Sequence, residues 1–194
     1  FLQLFSSADK TYYPGEWCPA FLQVHPEIEP DHPLQLLFSF LFSFSKKKVT
    51  TKADDEGNWI AEIITPAYGG PYKIDIKGNS NSINISDVYL GEVWLVSGQS
   101  NMEWLVKNSD NAVKEIASAN FPQIRHIAVP KATSLSPVKN IKSASWEICS
   151  PTSVSNFTAV GYFFAREIYQ QMNIPIGIIN SSWGGTHVET WISS

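Results

Sequence analysis

The sequence is poor in cysteine, in charged residues and in long apolar runs, and each shortage excludes a class of protein. Cys18 and Cys149 are too few and too far apart for a disulfide framework or a zinc site, so we interpret both as free. Charged residues make up 16% of the chain, and 18 acidic against 14 basic side chains provide no basic surface for nucleic acid or an anionic membrane. The most apolar run, residues 34–44, is far shorter than the roughly 20 residues of a membrane helix. Its alternating Phe and Ser residues instead predict a half-buried strand.

The residues that are present fall into two regimes, with a seam near residue 86. From Val49 to Ile85, short runs of alternating polar and apolar residues are separated by Asp, Gly and Pro. Regular short strands with such punctuation predict an antiparallel β-sandwich, which we assign to residues 1–86. Residues 1–45 are irregular and show no clean strands apart from the Phe/Ser run.

From residue 87 the hydrophobic pattern changes to strands alternating with helices. The predicted strands are Val88–Val96, Ile124–Val129 and Ile174–Asn180, and each reads as buried. The first predicted helix is capped by Ser109 and has Val113, Ile116 and Ala117 on one face. The second covers Phe157–Met172, and its inward face consists of Val160, Phe163, Phe164 and Ile168. This succession predicts an α/β domain over residues 87–194, the first part of a doubly wound parallel sheet.

Two loops at predicted strand ends have the residues of an acyl-transfer site. "SGQSNM" follows the first of these strands and offers the Ser100 hydroxyl, and "NSSWGGT" follows the third and offers Gly184 and Gly185. Ligands of parallel sheets gather at the carboxyl ends of the strands. The loops therefore supply a candidate nucleophile and backbone N–H groups for the oxyanion that forms when it attacks.

A structural interpretation of both loops stays open on these grounds alone. A Gly-x-Ser string is common, and this one is not the Gly-x-Ser-x-Gly elbow, because Met102 stands where the second glycine belongs. A Gly-Gly pair is often a plain tight turn.

Three longer blocks resemble the sialate O-acetylesterase family, which are carbohydrate esterases of the SGNH/GDSL hydrolase superfamily. The blocks are "DVYLGEVWLVSGQSNMEW", "ASWEICSPTSVSNFTAVGYFFAREIY" and "IPIGIINSSWGGTHVETW". The resemblance implies a flavodoxin-like α/β fold, removal of O-acetyl groups from sugars, and no cofactor or metal. It also implies roles for individual residues: nucleophile and oxyanion donor for Ser100, oxyanion donors for Gly184 and Gly185, and support of the motif for Gly98, Gln99 and Asn101.

The sequence departs from the family in lacking an evident base for the serine. The resemblance implies a histidine in an Asp-x-x-His arrangement, and none is present. Of the four histidines, His25 and His32 fall in a Pro-rich region and His126 in a predicted strand, where a structural role is expected. His187 adjoins the glycine loop, but no aspartate is evidently placed to orient it. We therefore expect the active protein to need a C-terminal segment or a second chain, without which the strand Ile174–Asn180 becomes an exposed edge.

Two other functions remain open. The first is an acetylxylan-type esterase. The second is a non-catalytic carbohydrate-binding protein that stacks sugars on tryptophans, the candidates being Trp59, Trp104, Trp183 and Trp191. Apart from the segment or chain that would complete the site, the expected partner is an acetylated carbohydrate, and nucleic acid and membrane are not expected. By analogy with sugar esterases we expect an exported protein, extracellular, periplasmic or lysosome-like. Asn84, Asn156 and Asn180 begin formal glycosylation triplets, although Asn180 lies too close to the site to carry a glycan.

Overall fold

The computed structural model describes residues 2–6, 19–24, 37–42, 48–52, 60–64, 67–78, 82–136, 138 and 144–192. The interpretations of Cys18, His25, His32 and Trp59 lie outside these residues. The chain divides into two compact units, Phe1–Leu90 and Gly91–Ser194. Together they form a mixed α/β chain whose sheets include parallel strands.

The first unit consists of antiparallel strands in two sheets. Its strands are β1 Leu2–Ser6, β2 Pro19–Val24, β3 Leu37–Phe42, β4 Lys48–Lys52, β5 Ile60–Ile64, β6 Gly69–Lys77 and β7 Ser82–Leu90. The sheet orders are β1-β2-β5 and β4-β3-β6-β7, and all pairings are antiparallel. The strands predicted from the alternating runs are confirmed, whereas β1 and β2 lie in the region where the sequence showed none. A sandwich of the two sheets stays a prediction.

Period-2 alternation explains the buried face of β6 and β7. Ile74 and Ile76 are two residues apart on β6 and are both buried. Val88 and Leu90 have the same spacing on β7 and are also buried. Because successive side chains point to opposite faces of a strand, each pair lies on one face of the sheet, and the residues between them face the other way.

The second unit is built on a mixed sheet of the order β10-β9-β11-β8. Its elements are β8 Glu92–Gly98, α1 Ser100–Glu103, α2 Ala112–Ser118, β9 Phe121–Ala128, β10 Glu147–Cys149, α3 Ala159–Met172 and β11 Ile176–Ser182, with short 3-10 helices Val106–Asn108, Val154–Asn156 and Val188–Trp191. Strands β8, β9 and β11 are parallel, and β10 is antiparallel to β9. The described sheet is therefore not purely parallel.

The order of the parallel strands differs from the one that the resemblance implied. In a flavodoxin-like sheet the first strand lies between the second and the third. Here the third, β11, lies between β8 and β9, pairing with both through backbone hydrogen bonds. The expectation that Ile174–Asn180 becomes an exposed edge is therefore wrong, and the edge strands of the described sheet are β8 and β10.

The single strand predicted over Val88–Val96 is divided at Gly91. β7 ends at Leu90 in an antiparallel sheet, and β8 begins at Glu92 in the parallel one. The Glu92 N–H donates to the carbonyl oxygen of Pro175 at 3.0 Å, and a Cβ on Gly91 would lie 2.6 Å from the Pro175 carbonyl carbon. Close approach of two backbones at this point requires glycine. Val88 and Leu90 are buried before Gly91, but Val93, Trp94 and Leu95 after it are exposed, so the prediction that this whole apolar run is buried is wrong for this part of β8.

Helix α3 packs on the sheet through small residues rather than through the face predicted from the sequence. A Cβ on Gly161 would lie 3.0 Å from Ile178 Cγ2, and Ala165 is fully buried beside Tyr162. Phe163 and Ile168 pack against the core as predicted, but Val160 and Phe164 are exposed. The small side chains bring the helix close to the sheet, so the face centred on them turns inward.

Helix α2 also differs from its prediction. It begins after Asn111, which is left-handed at a φ of 56°, and Ser109 caps the end of the preceding 3-10 helix instead. Val113 is 87% exposed, while Ile116 packs against the core. The helix is tied down by Glu115, which accepts hydrogen bonds from Tyr162 Oη at 2.7 Å and from Arg166. These hydrogen bonds attach α2 to α3 and supplement the packing of its short apolar face.

The core of the second unit contains the cysteine of this part of the chain. Phe157, Tyr162 and Ile124 are fully buried with Cys149. Cys149 is free, as predicted, and burial raises the pKa of its thiol to about 12. A thiol held neutral in an apolar core is chemically inert, so this residue is structural.

Candidate active site

Ser100 lies where the parallel strand β8 turns into the short helix α1. Gly98 ends the strand at a φ of 150°, a conformation that residues with a side chain rarely adopt. The Gln99 carbonyl accepts a hydrogen bond from the Glu103 N–H at 3.0 Å, which closes the turn. The Ser100 side chain is exposed. Its hydroxyl is thus accessible to a ligand, as a nucleophile must be.

The loop after β11 is joined to the loop after β8 at several points. The Trp183 N–H donates to the Gly98 carbonyl oxygen at 2.9 Å, and the Gln99 side-chain amide donates to the Thr186 carbonyl oxygen. Parallel pairing of Ser182 with Gly98 brings the two strand ends level. The structure therefore brings together the two loops that the sequence singled out.

Gly184 lies directly against Ser100. A Cβ on Gly184 would be 3.2 Å from Ser100 Oγ and 2.7 Å from Glu103 Oε2, so a side chain here would crowd both groups. Asn101 is exposed on α1, and Met102 packs partly against the core. The catalytic roles of these residues stay predictions, but their proximity is a fact of the structure.

Glu103 and Lys131 belong to the site and were missed by the sequence reasoning. The Glu103 carboxylate accepts the Gly184 N–H at 2.5 Å and forms an ion pair with Lys131. The Lys131 ammonium and the Gly184 N–H hold the pKa of Glu103 below its ordinary value, so the carboxylate is ionised at neutral pH. Two sequence signals could have identified these residues. Glu103 is one helical turn after Ser100, and Lys131 follows the carboxyl end of β9.

Gly185 differs from Gly184 in its surroundings. It has a φ of 77°, in the left-handed region, and no atom lies within 4 Å of a Cβ built on it. Among the described residues, no hydrogen bond engages its N–H, whereas the N–H of Gly184 is taken by Glu103. Gly185 is therefore the better placed of the two glycines to donate to a bound ligand.

The two histidines in the described part of the chain have different positions. His187 is exposed and precedes the 3-10 helix Val188–Trp191, and its carbonyl oxygen accepts the Thr190 N–H. His126 is buried in β9 at 2% exposure, stacked on Phe157 with ring centroids 4.4 Å apart. No hydrogen bond between described residues joins either ring to Ser100 Oγ. The structural role predicted for His126 is confirmed, although its Nε2 has no partner among these residues.

The burial of His126 predicts that the second unit loses stability in mild acid. Burial lowers the pKa of His126 from 6.5 to about 4, so the unfolded chain binds a proton at a pH where the folded chain does not. The stability is complete above pH 6.5 and should fall by roughly 3 kcal/mol as the pH falls toward 4. Urea unfolding at several pH values checks this, with His126→Phe as the non-titrating control. Equal pH dependence of the two proteins would contradict it.

Three tryptophans, of which Trp104 and Trp191 are exposed and Trp183 is partly buried, belong to the segments that carry the candidate site. Trp104 follows Glu103 and is 54% exposed. Lys131 Nζ lies 5.6 Å from the ring centroid of Trp183. Trp191 donates from Nε1 to Thr186 Oγ1 at 2.9 Å, which joins it to the glycine loop. Aromatic faces next to polar groups are suited to stacking on sugar rings.

The described residues contain neither a metal-binding cluster nor a membrane-spanning helix. No group of His, Cys, Asp and Glu side chains among them has the arrangement to hold a metal ion. Within the same residues, no helix is long and apolar enough to cross a bilayer.

The second unit thus brings an exposed hydroxyl at one strand end next to a glycine loop at the end of the neighbouring strand, which is the arrangement predicted from the sequence. A family model described as "Carbohydrate esterase, sialic acid-specific acetylesterase" matches residues 90–194. The chain belongs to this family, and the resemblance inferred from its motifs is confirmed.

Individual relatives agree with the family. The chain is 33% identical to the sialate O-acetylesterase of Mus musculus and covers 29% of that protein, with 76% of this chain aligned. It is 31% identical to the Homo sapiens sialate O-acetylesterase and covers 30% of it, again with 76% of this chain aligned. The chain therefore spans less than a third of the length of these relatives.

A solved structure is also similar. The crystal structure of a carbohydrate acetylesterase from Xanthomonas citri matches with a TM-score of 0.80 and 34% sequence identity. The match covers 92% of this chain and 39% of the other.

Proposed function

We propose that the protein is a serine esterase that removes O-acetyl groups from carbohydrates, with a chemistry most like that of a sialate O-acetylesterase. One observation carries the proposal: the Gly184 backbone lies so close to Ser100 that an added Cβ would be 3.2 Å from Oγ. An exposed hydroxyl therefore adjoins a glycine loop in which the Gly184 N–H is bound by Glu103 and the Gly185 N–H is open to a ligand among the described residues. The hydroxyl and the open N–H are the two groups that an ester carbonyl must contact at once when it is attacked.

In the proposed mechanism, Ser100 Oγ attacks the acetyl carbonyl carbon while a base takes its proton. The N–H groups of Ser100 and Gly185 stabilise the negative oxygen. The ester bond then breaks, the sugar oxygen takes up the proton, and an acetyl group remains on Ser100. Water attacks this ester in turn, which releases acetate and restores the serine.

The proposal assigns the base to neither described histidine. His126 is buried in the core, and His187 is exposed without a contact to Ser100 among the described residues. We place the base on a C-terminal segment or a second chain. For the fold, we propose that the two antiparallel sheets of Phe1–Leu90 form a sandwich and that Gly91–Ser194 is part of an SGNH-type α/β domain, which moves the seam predicted near residue 86 to Gly91 because β7 continues to Leu90.

Acetate release tests the proposed reaction and its substrate class. The substrates are an O-acetylated sialic acid, an acetylated xylan and 4-nitrophenyl acetate, with Ser100→Ala protein as the blank. Release from the sialic acid at a rate above the blank is the expected result. Release from xylan alone would favour the acetylxylan-type esterase, and rates equal to the blank on all substrates, measured with the C-terminal segment or second chain present, would reject the esterase.

A non-catalytic carbohydrate-binding protein is the second candidate, favoured by the tryptophans around the site. The exposed Trp104 and the Lys131–Trp183 pair form a surface on which a sugar ring can stack. Calorimetric titration with unmodified and acetylated sugars distinguishes the candidates. Binding of both sugars without acetate release, abolished in Trp183→Ala protein, would support the binding protein.

We propose that the protein is exported, because acetylated glycans are met mostly outside the cytoplasm. Asn84 and Asn156 are exposed and accessible to a glycosylating enzyme, whereas Asn180 is buried and accepts the Ser182 hydroxyl at 2.7 Å. A glycan is therefore expected on the first two residues only, if the host glycosylates its exported proteins. Mass analysis before and after enzymatic deglycosylation checks this.

A further inference from the structure

We infer that Glu103 is a positioning residue that holds the glycine loop against Ser100, an inference that rests on the proposed function. Three neighbouring parallel strands are each followed by a segment that reaches the Glu103 carboxylate. Glu103 itself follows β8, Lys131 follows β9, and Gly184 follows β11. The site is thus assembled by one side chain that touches no reacting atom in the proposed chemistry.

The hydrogen bonds of the glycine loop show why this contact matters. Trp183 and Thr186 are tied to the β8 end, through Gly98 and the Gln99 side chain. Between these two ties, the backbone of Gly184 is held by Glu103 at 2.5 Å. The distance between the loop and the Ser100 hydroxyl therefore depends on this carboxylate.

The same contact selects which amide serves the oxyanion. A Gly184 N–H that already donates to a carboxylate cannot donate to a developing oxyanion without losing that bond. The Gly185 N–H has no such partner among the described residues, and space for a ligand opens beside it. Glu103 thus holds the N–H of Gly184 and leaves the N–H of Gly185 available to the oxyanion.

The ion pair with Lys131 makes an acidic side chain acceptable here. A lone carboxylate beside Ser100 would repel the negative charge that forms in the transition state. Lys131 neutralises it and lies on the side of Glu103 that does not contact Gly184, since the two partners use different carboxylate oxygens. A carboxylate held ionised in this way is also a weak base, which separates its role from that of a proton acceptor.

Variants of Glu103 and Lys131 separate the hydrogen bond from the charge. Glu103→Gln keeps an oxygen that accepts the Gly184 N–H, whereas Glu103→Ala removes it. Lys131→Met leaves the carboxylate without its counter-charge. In the acetyl-ester assay, Glu103→Ala should lower kcat by about 10²-fold with little change in KM, because a catalytic geometry shifted by about 1 Å costs that much. The Gln variant should recover most of this loss, and Lys131→Met should lower kcat without changing the loop.

Amide exchange of Gly184, followed by NMR, tests the positioning independently of activity. We expect slow exchange in the wild-type protein and in the Ser100→Ala and Lys131→Met variants, at least about tenfold faster exchange in Glu103→Ala, and an intermediate rate in Glu103→Gln. Unchanged exchange in Glu103→Ala would overturn the inference. A wild-type protein that releases no acetate with its C-terminal segment or second chain present would reject the proposed function, and the amide exchange would still decide whether Glu103 positions the loop.

Discussion

Replacing Ser100 with alanine is expected to lower esterase activity by at least about 10³-fold, because the variant lacks the oxygen that forms the acetyl-enzyme. The exposed side chain, in the turn after β8, makes no hydrogen bond within the described part of the chain that alanine would remove. Stability should therefore stay within about 0.5 kcal/mol of the wild type. Initial rates on an acetyl ester and the intact mass after treatment with a fluorophosphonate are the measurements.

Ser118→Ala is the matched control. Ser118 is also exposed, at the end of α2, and its hydroxyl donates to the Glu115 carbonyl oxygen at 3.0 Å. The control should react with the fluorophosphonate as the wild type does, and the adduct should map to Ser100. Equal labelling of the wild type and Ser100→Ala would show that this serine is not the nucleophile.

The substitution Gly91→Ala should destabilise the second unit by about 3 kcal/mol. Its methyl group would collide with the carbonyl oxygen of Pro175 and lie 2.6 Å from the carbonyl carbon. Backbone atoms cannot rotate away as a side chain does, so the hydrogen bond from Glu92 to Pro175 must lengthen or break. Urea unfolding followed by circular dichroism measures the loss.

Gly177→Ala provides a control with the same added methyl group. At Gly177 the nearest atoms belong to side chains, Trp146 at 3.2 Å and Val93 at 3.3 Å, and both side chains are exposed enough to shift. We expect a change of no more than about 1 kcal/mol. Equal effects at the two glycines would contradict the role assigned to the backbone contact of Gly91.

Strand positions were predictable where hydrophobic alternation is local. The strands β4, β5 and β6 fall in the alternating runs, and β9 and β11 in the apolar ones, each displaced by a few residues at most. The antiparallel β10 was missed because three residues carry too little pattern. The division at Gly91 was missed because it depends on Pro175, which is remote in sequence.

Helix faces were predicted less well. The face of α3 follows Gly161 and Ala165, which are small enough to let the helix approach the sheet. An apolar pattern weights large residues instead, and so it assigned Phe164 to the interior. Phe164 contacts the partly exposed Trp94, with ring centroids 5.0 Å apart.

The sequence by itself determined the family, the position of Ser100 at a strand end and the composition of the two loops, because these depend on short motifs and local periodicity. Only the tertiary structure decided that β11 lies between β8 and β9, and that Glu103 and Lys131 join the site. The physical reason is that strand order and ion pairs arise between segments far apart in the chain. Glu103 and Gly184 are 81 residues apart, yet the 2.5 Å hydrogen bond between them forms because parallel strands end at a common edge.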